Sequence, residues 1–244
     1  MKRLINDLSI VIPCKNDEKD LIDILPYVIK FCNKNVLNFE ILIVINGSKK
    51  ENILELNEYI QNNEIKNVEL ITIETIGKGA AVKKGLLKAN FDHILISDAD
   101  FSVSIDHLLK FIDENGNFLG DFLVGSRRMK KSNNLITPFS RKVSGFLYTI
   151  MVKAILGLKV KDTQCGFKVI NIKNFKSCKN FIKTNYSYDV ELFFLAIQEK
   201  ILVTEIPVEY IHNKNSNVKI VSDSISMTKD LLSIIWKYRI KKFN

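Results

Sequence analysis

Four short apolar runs, each followed by a stretch of helical periodicity, fill the first hundred residues and leave few folds open. The runs are Leu8–Pro13, Phe39–Ile45, Val68–Ile73 and the one ending in Ile94-Leu95-Ile96. Nearly continuous Val, Ile and Leu is the pattern of strands buried on both faces. Between the first two runs, Leu21, Ile24, Leu25, Val28 and Ile29 recur at helical spacing. Pro26 inside that set predicts a kink or a break into two pieces. A second helix is predicted over roughly Lys49–Gln61, and a third opens at Gly77-Lys78-Gly79 and runs to about Lys88. Strands alternating with helices in this way predict an α/β fold with a doubly wound, mostly parallel sheet and helices on both faces.

Beyond residue 100 the pattern loosens. We read a short helix at Ile105–Glu114, a fifth strand at Phe122–Ser126, a polar loop at Lys130–Thr137, further strands at Lys168–Ile172 and Ile201–Ile206, and a helix at Tyr188–Glu199. Phe139–Leu158 and Asp223–Tyr238 read as amphipathic helices, the second followed by a basic tail. No linker-like composition interrupts the 244 residues. We therefore expect one domain, 1–244: a nucleotide-sugar half (1–126), an acceptor half (127–222) and a C-terminal basic amphipathic helix (223–244).

The formal net charge of +9 fits an anionic partner. The basic residues are not interleaved with aromatics in a nucleic-acid-binding module, so no nucleic acid is expected. Cys14, Cys32, Cys165 and Cys178 have no Cys-x-x-Cys spacing, which excludes a zinc ribbon or redox dithiol and predicts reduced thiols. No signal-peptide pattern opens the chain, and no stretch of about 18 uncharged apolar residues is present.

The chemistry centres on Asp98-Ala99-Asp100, where the fourth apolar run stops. In an open α/β sheet the carboxyl edge of the strands is where ligands bind. Two carboxylates spaced i, i+2 repel each other unless a hard cation sits beside them, and Mg²⁺ accepts few carboxylates when phosphate oxygens complete its shell. An isolated Asp-x-Asp also matches many solvated loops, so the surrounding pattern has to decide. Gly77 and Gly79 allow close backbone approach and place amide donors at a helix N-terminus, with Lys78 adding charge. Asn46-Gly47-Ser48 ends the second strand, where a base could dock.

The ordered set of Ile12-Pro13, Asn46-Gly47-Ser48, Gly77-Lys78-Gly79-Ala80-Ala81, Asp98-Ala99-Asp100, Gly125-Ser126-Arg127, Asp162-Thr163-Gln164-Cys165-Gly166-Phe167-Lys168 and Tyr188-Asp189-Val190-Glu191-Leu192 resembles the family 2 inverting glycosyltransferases of the GT-A, Rossmann-like fold. Within them it is most similar to the dolichyl-phosphate β-glucosyltransferases and other polyprenyl-phosphate glycosyltransferases. The stretch from Asp162 to Lys168 is the specific part. The family usually has an Asp-Asp pair where this chain has Ile45-Asn46.

The resemblance implies a transferase that moves a hexose, glucose from UDP-glucose first, to a polyprenyl or dolichyl phosphate. It implies donor contacts from Pro13, Asn46, Gly77, Lys78, Gly79, Asp98 and Gln164, with Mg²⁺ or Mn²⁺ on Asp98 and Asp100. Arg127 and Arg141 would bind the acceptor phosphate, and Asp162, Asp100 and Asp189 would be catalytic. An acceptor hydroxyl would call on Asp162 as a general base; a lipid phosphate, already anionic near neutral pH, needs one less. Cys165 is expected to be a packed residue. The expected setting is peripheral, on anionic lipid at the cytoplasmic face of a membrane. Two rivals stay open: a related transferase with another donor (GDP-mannose, UDP-N-acetylhexosamine) or a soluble glycan acceptor, and a non-catalytic nucleotide-sugar-binding protein.

Overall fold

The computed structural model describes residues 5–129, 134–135, 160–211, 230, 233 and 236. The chain runs β1 (Ile5–Cys14), α1 (Glu18–Asn35), β2 (Val36–Ile45), α2 (Lys50–Asn62), β3 (Val68–Thr72), α3 (Lys78–Lys88) and β4 (His93–Ile96). A 3₁₀ turn at Ile105–Phe111 leads to β5 (Phe122–Ser126), and β6 (Asn134–Leu135) and β7 (Lys168–Asn171) follow. After a second 3₁₀ turn at Lys176–Lys179 come α4 (Tyr188–Gln198), β8 (Val203–Pro207) and β9 (Tyr210–Ile211).

Seven strands form one sheet in the order β3-β2-β1-β4-β7-β5-β8. All pairings are parallel except those of β7, which runs antiparallel to both β4 and β5. The sheet is thus mostly parallel, as the alternation of strands and helices predicts. The single inversion matters for function. Because β7 runs backwards, its first residue, Lys168, lies beside Ile96 at the end of β4 and Val124 near the end of β5. The segment 162–167 is thereby delivered to the same sheet edge as Asp98 and Arg127.

β1 is central, and every side chain from Leu8 to Cys14 is buried. Pro13 is tolerated there because pairing with β4 ends at Val11, leaving β2 as its remaining neighbour. α1 packs Leu21, Leu25 and Val28 into the core and runs unbroken past Pro26, whose ring is exposed. The predicted break does not occur. The stretch read as a short helix at Ile105–Glu114 is a 3₁₀ turn ending at Phe111, beyond which Ile112 bridges to Phe118. Within the expected loop at Lys130–Thr137, Asn134–Leu135 pair in parallel with Tyr210–Ile211. The expected helix Phe139–Leu158, with Arg141, lies outside the described residues. So does Asp223–Tyr238, apart from Asp230, Ser233 and Trp236. Among the described residues no helix is long and apolar enough to cross a membrane.

Candidate active site

The sheet reverses its winding between β1 and β4, the place where open α/β sheets bind ligands. Asp98 and Asp100 follow β4 there. The Asp100 carboxylate accepts from the Ser102 amide at 3.0 Å and from the Ser102 hydroxyl. Phe101 between them holds a left-handed backbone, φ +43°, with its ring buried. A non-glycine residue held this way is sustained only by its surroundings, and such strain gathers at functional sites. Asp98 pairs with the ammonium of Lys78 from the first turn of α3, and its side chain remains 39% exposed. Burial disfavours the charge of Asp98, yet Lys78, Lys168 and Arg127 together hold its pKa below the ordinary carboxylate value. Burial likewise opposes the charge on Lys78, and Asp98 and Asp189 more than restore it.

Gly77 and Gly79 have a different neighbour from the one expected. A Cβ on Gly77 would lie 2.1 Å from the Thr184 carbonyl oxygen, and one on Gly79 would lie 2.3 Å from the Lys183 carbonyl oxygen. Gly77 also has φ +135°. Glycine is required here because the 183–185 backbone lies against the helix start; the Ala80 amide donates to Thr184 O at 3.1 Å. Asn46 is similarly committed: it is 2% exposed and its amide donates to Gly77 O at 3.3 Å, joining the end of β2 to the start of α3. The adjoining loops are tied as well, with the Asn16 amide donating to Ser48 Oγ at 3.0 Å and the Lys49 amide to Asn16 Oδ1 at 3.2 Å.

Asp162 is also unlike the general base considered above. It is 1% exposed and takes four hydrogen bonds. Its Oδ2 accepts from Arg127 N (3.1 Å) and Nε (2.7 Å), and its Oδ1 from Arg127 Nη2 (3.0 Å) and Gln164 N (3.2 Å). A carboxylate offers about four lone-pair positions, so none is left for a substrate proton. Burial raises its pKa, but Arg127 outweighs burial and holds it at about 2. Asp162 is therefore the anchor of Arg127, which also stacks over the Tyr210 ring at 5.3 Å. Glu205 fixes the anchor in turn, accepting from the Lys161 and Asp162 amides at 2.8 and 2.9 Å.

Asp189, another expected catalytic acid, is buried as the counter-ion of Lys168, with Nζ 2.9 Å from Oδ1. Lys168 is fully buried and also donates to Cys165 O. That bond shapes the 165–166 turn, where Gly166 lies directly against the Asp98 carboxylate. Cys165 is packed, with burial pushing its thiol up to about 11. The structure thus brings Lys78, Gly79, Asp98, Asp100, Arg127, Asp162, Gln164 and Asp189 to one sheet edge, with Pro13, Asn46 and Gly77 in the supporting layer.

Sequence reasoning missed four contributors. Asp17 and Asp20, at the cap and in the first turn of α1, face the charges of the Asp98–Asp100 turn; burial, then Asp20 and Asp100, push Asp17 up to about 6. Their position at the β1–β4 switch was the available signal. Lys168 stands in the motif with no role assigned to it, and Tyr210 had no signal at all.

The acidic group fits a hard divalent cation. Asp98, Asp100, Asp17 and Asp20 gather where Lys78 supplies the direct cationic partner. Among the described residues no three His, Cys, Asp or Glu converge into a ready-made ligand set. A cation there would take Asp98 and Asp100 plus oxygens brought by the ligand or water, which is how Mg²⁺ is held in phosphate-handling sites.

The family model described as "Glycosyl transferase family 2" matches residues 9–178. This chain belongs to glycosyl transferase family 2. It is a glycosyltransferase. Over 246 residues it is 28% identical to a dolichyl-phosphate beta-glucosyltransferase of Dictyostelium discoideum, covering 95% of this chain and 74% of the relative. A Trichomonas vaginalis enzyme of the same name is 30% identical over 97% of this chain and 77% of its own, and the Saccharomyces cerevisiae one 29% over 95% and 75%. The fold is shared with Mycobacterium tuberculosis glucosyl-3-phosphoglycerate synthase solved with Mn²⁺, UDP-glucose and phosphoglyceric acid. The two superpose with a TM-score of 0.66 at 10% identity, over 95% of this chain and 79% of that one. GT-A glycosyltransferases are thus its structural neighbours.

Proposed function

We propose that this glycosyltransferase moves glucose from UDP-glucose to a polyprenyl or dolichyl phosphate, with inversion at the anomeric carbon and with Mg²⁺ or Mn²⁺. The observation that carries the acceptor class is the commitment of Asp162 to Arg127 and of Asp189 to Lys168. Asp162, the acid expected to be a base for a hydroxyl acceptor, and Asp189 are each tied up in a buried ion pair. A phosphate acceptor is already anionic near neutral pH and needs no base. What it needs is a cation to orient it, and Arg127 is the cation at this edge whose guanidinium is pre-set by its anchor and 27% exposed. The donor names and metals of similar proteins agree with this reading.

The donor diphosphate is held between Lys78 and the two acids of the Asp98–Asp100 turn. Asp98 and Asp100 would hold the divalent cation, which supplies charge neutralisation on the departing diphosphate. Lys78, at the N-terminus of α3, adds a fixed positive charge on the same side. Arg127 presents an acceptor phosphate oxygen to the anomeric carbon from the opposite face. The oxygen–carbon bond forms as the carbon–oxygen bond to the diphosphate breaks. Gly166, Phe101 and the 183–185 loop hold these groups still, so positioning does most of the work. Four buried free thiols and the exposed Trp236 suit a peripheral enzyme at the cytoplasmic face of a membrane.

The test is transfer of label from UDP-[¹⁴C]glucose into an organic-extractable product with polyprenyl phosphate and Mn²⁺ or Mg²⁺. Label that is lost on chelation and in Asp100→Ala supports the reading. Transfer to a soluble glycan hydroxyl, with none to lipid phosphate, overturns the acceptor assignment.

A further inference from the structure

We infer that Asp230 is a positioning residue for donor binding: from the C-terminal segment it holds the 183–187 loop against the first turn of α3 and thereby fixes Lys78. The inference rests on the reading of Lys78 as a donor-diphosphate ligand.

One carboxylate gathers three donors from this loop. Lys183 Nζ donates to Asp230 Oδ1 at 2.7 Å, while Asn185 Nδ2 and Ser187 Oγ donate to Oδ2 at 2.6 and 2.9 Å. Ser233 joins the cluster, 3.2 Å from Lys183 Nζ. These bonds keep the Asp230 pKa below its ordinary value against the opposing effect of burial. On the inner side the loop hangs from Glu191, fully buried, which accepts from the Ile182 and Lys183 amides at 2.9 Å each.

Held by these two acids, the loop lies against α3. Its Thr184 and Lys183 carbonyls occupy the space over Gly77 and Gly79, the residues on either side of Lys78. Thr184 O receives the Ala80 amide, and Lys83 from the next turn of α3 donates to Phe181 O at 2.8 Å. The Cα of Lys78 is thus seated by a loop whose outer face is held by a residue 43 positions beyond Ser187. Glu191 and the glycines make the contact possible. Asp230 ties it to the C-terminal segment.

A double-mutant cycle separates positioning from general stability. Asp230→Ala, Asp230→Asn, Lys78→Ala and the Asp230→Ala/Lys78→Ala pair would be compared for KM of UDP-glucose, KM of polyprenyl phosphate, kcat, and calorimetric binding of UDP with Mn²⁺. We expect each Asp230 variant to weaken UDP binding and raise the donor KM by about tenfold, with acceptor KM and kcat within about twofold. In the Lys78→Ala background, Asp230→Ala should then add less than about twofold. Ser187→Ala, which removes one bond of the three, should give a smaller loss of the same kind and covers the case in which Asp230→Ala does not fold. Equal factors in both backgrounds, or a loss falling on acceptor KM, would overturn the inference while leaving the transferase reading intact. Wild-type protein that binds no UDP would overturn the donor reading and the inference with it.

Discussion

Gly166→Ala should separate folding from catalysis in this enzyme. A Cβ built at Gly166 lies 2.1 Å from Asp98 Oδ2, 2.5 Å from Cγ and 2.7 Å from Oδ1. Ordinary van der Waals contact begins near 3.4 Å, so Oδ2 must retreat by about 1.3 Å, the difference between 3.4 and 2.1 Å. The obstacle is the tip of one side chain, 39% exposed, which can rotate into solvent. The backbone of Gly166 is not left-handed, so alanine itself brings no conformational penalty. Stability should therefore change by less than about 1 kcal/mol. Asp98, however, would lose its place beside Lys78 and its alignment with Asp100. A misplacement of about 1 Å costs on the order of 100-fold in rate, or about 2.7 kcal/mol of barrier. Lipid-phase label transfer, measured beside urea denaturation, checks both halves. A folded Gly166→Ala enzyme with wild-type kcat/KM would refute the reasoning, because Asp98 would then have no need of its position. Gly77→Ala makes the contrast: its Cβ meets a backbone carbonyl at 2.1 Å with φ +135°, so that variant should fail through folding.

Asp162→Asn should lower stability by about 3–5 kcal/mol by leaving Arg127 without its buried partner, measured by denaturant unfolding. Because Asp162 is already ionised above about 2, its contribution is complete above the unfolded value of 3.8 and lost only as pH falls toward 2. The acid limb of the pH–rate profile above pH 4 should therefore keep its midpoint in any Asp162→Asn enzyme that retains measurable turnover. Asp17 has the opposite sign: its pKa is raised from 3.8 to about 6, so its ionised form costs stability above pH 6 and protonation relieves it. Asp17→Asn should accordingly melt higher than wild type at pH 7, and the gap should narrow as pH falls below about 6 and close only below about 4, under the unfolded value of 3.8; a gap independent of pH would refute the assignment.

The parallel half of the sheet was legible because its strands are buried on both faces and read as unbroken apolar runs. β5, Phe122–Ser126, has the expected limits, and α3 begins at the expected Gly-Lys-Gly. The direction of β7 was not legible. Lys168-Val169-Ile170-Asn171 carries a strand pattern, but the pattern is the same for either direction, and its neighbours are more than forty residues away in sequence. The same limit applies to roles. The sequence shows an acid at 162, but whether it is a base or an anchor depends on Arg127, 35 residues earlier. A lysine opening a strand reads as solvated, and only the fold supplies Asp189 to make Lys168 a buried cation. Pro26 reads as a break because it removes one backbone donor. The apolar face formed by Leu21, Leu25 and Val28 carries the helix through it.

The three ion pairs of the site divide the electrostatic work unequally, and the division explains how an acid-rich edge can receive an anion. Lys168–Asp189 is buried and closed, so its net contribution outside is small, yet Lys168 still helps keep Asp98 ionised. Arg127–Asp162 is buried on the acid's side only, leaving the guanidinium 27% exposed at the edge. Lys78–Asp98 is the open pair, with side chains 20% and 39% exposed. Ligand-free, Lys78 is the direct partner that offsets Asp98 among acids that include Asp100, Asp17 and Asp20. A diphosphate arriving alone would meet that excess of negative charge. A divalent cation arriving alone would have to compete with Lys78 for Asp98. Arriving together, the two would free Lys78 to turn to the diphosphate while Asp98 and Asp100 would hold the cation, so no buried charge would be left unpaired. On the proposed function, the arrangement would favour joint entry of cation and donor. It also explains why Gly166 stands at this edge: it removes a Cβ where Asp98 of the open pair must be held within about an ångström.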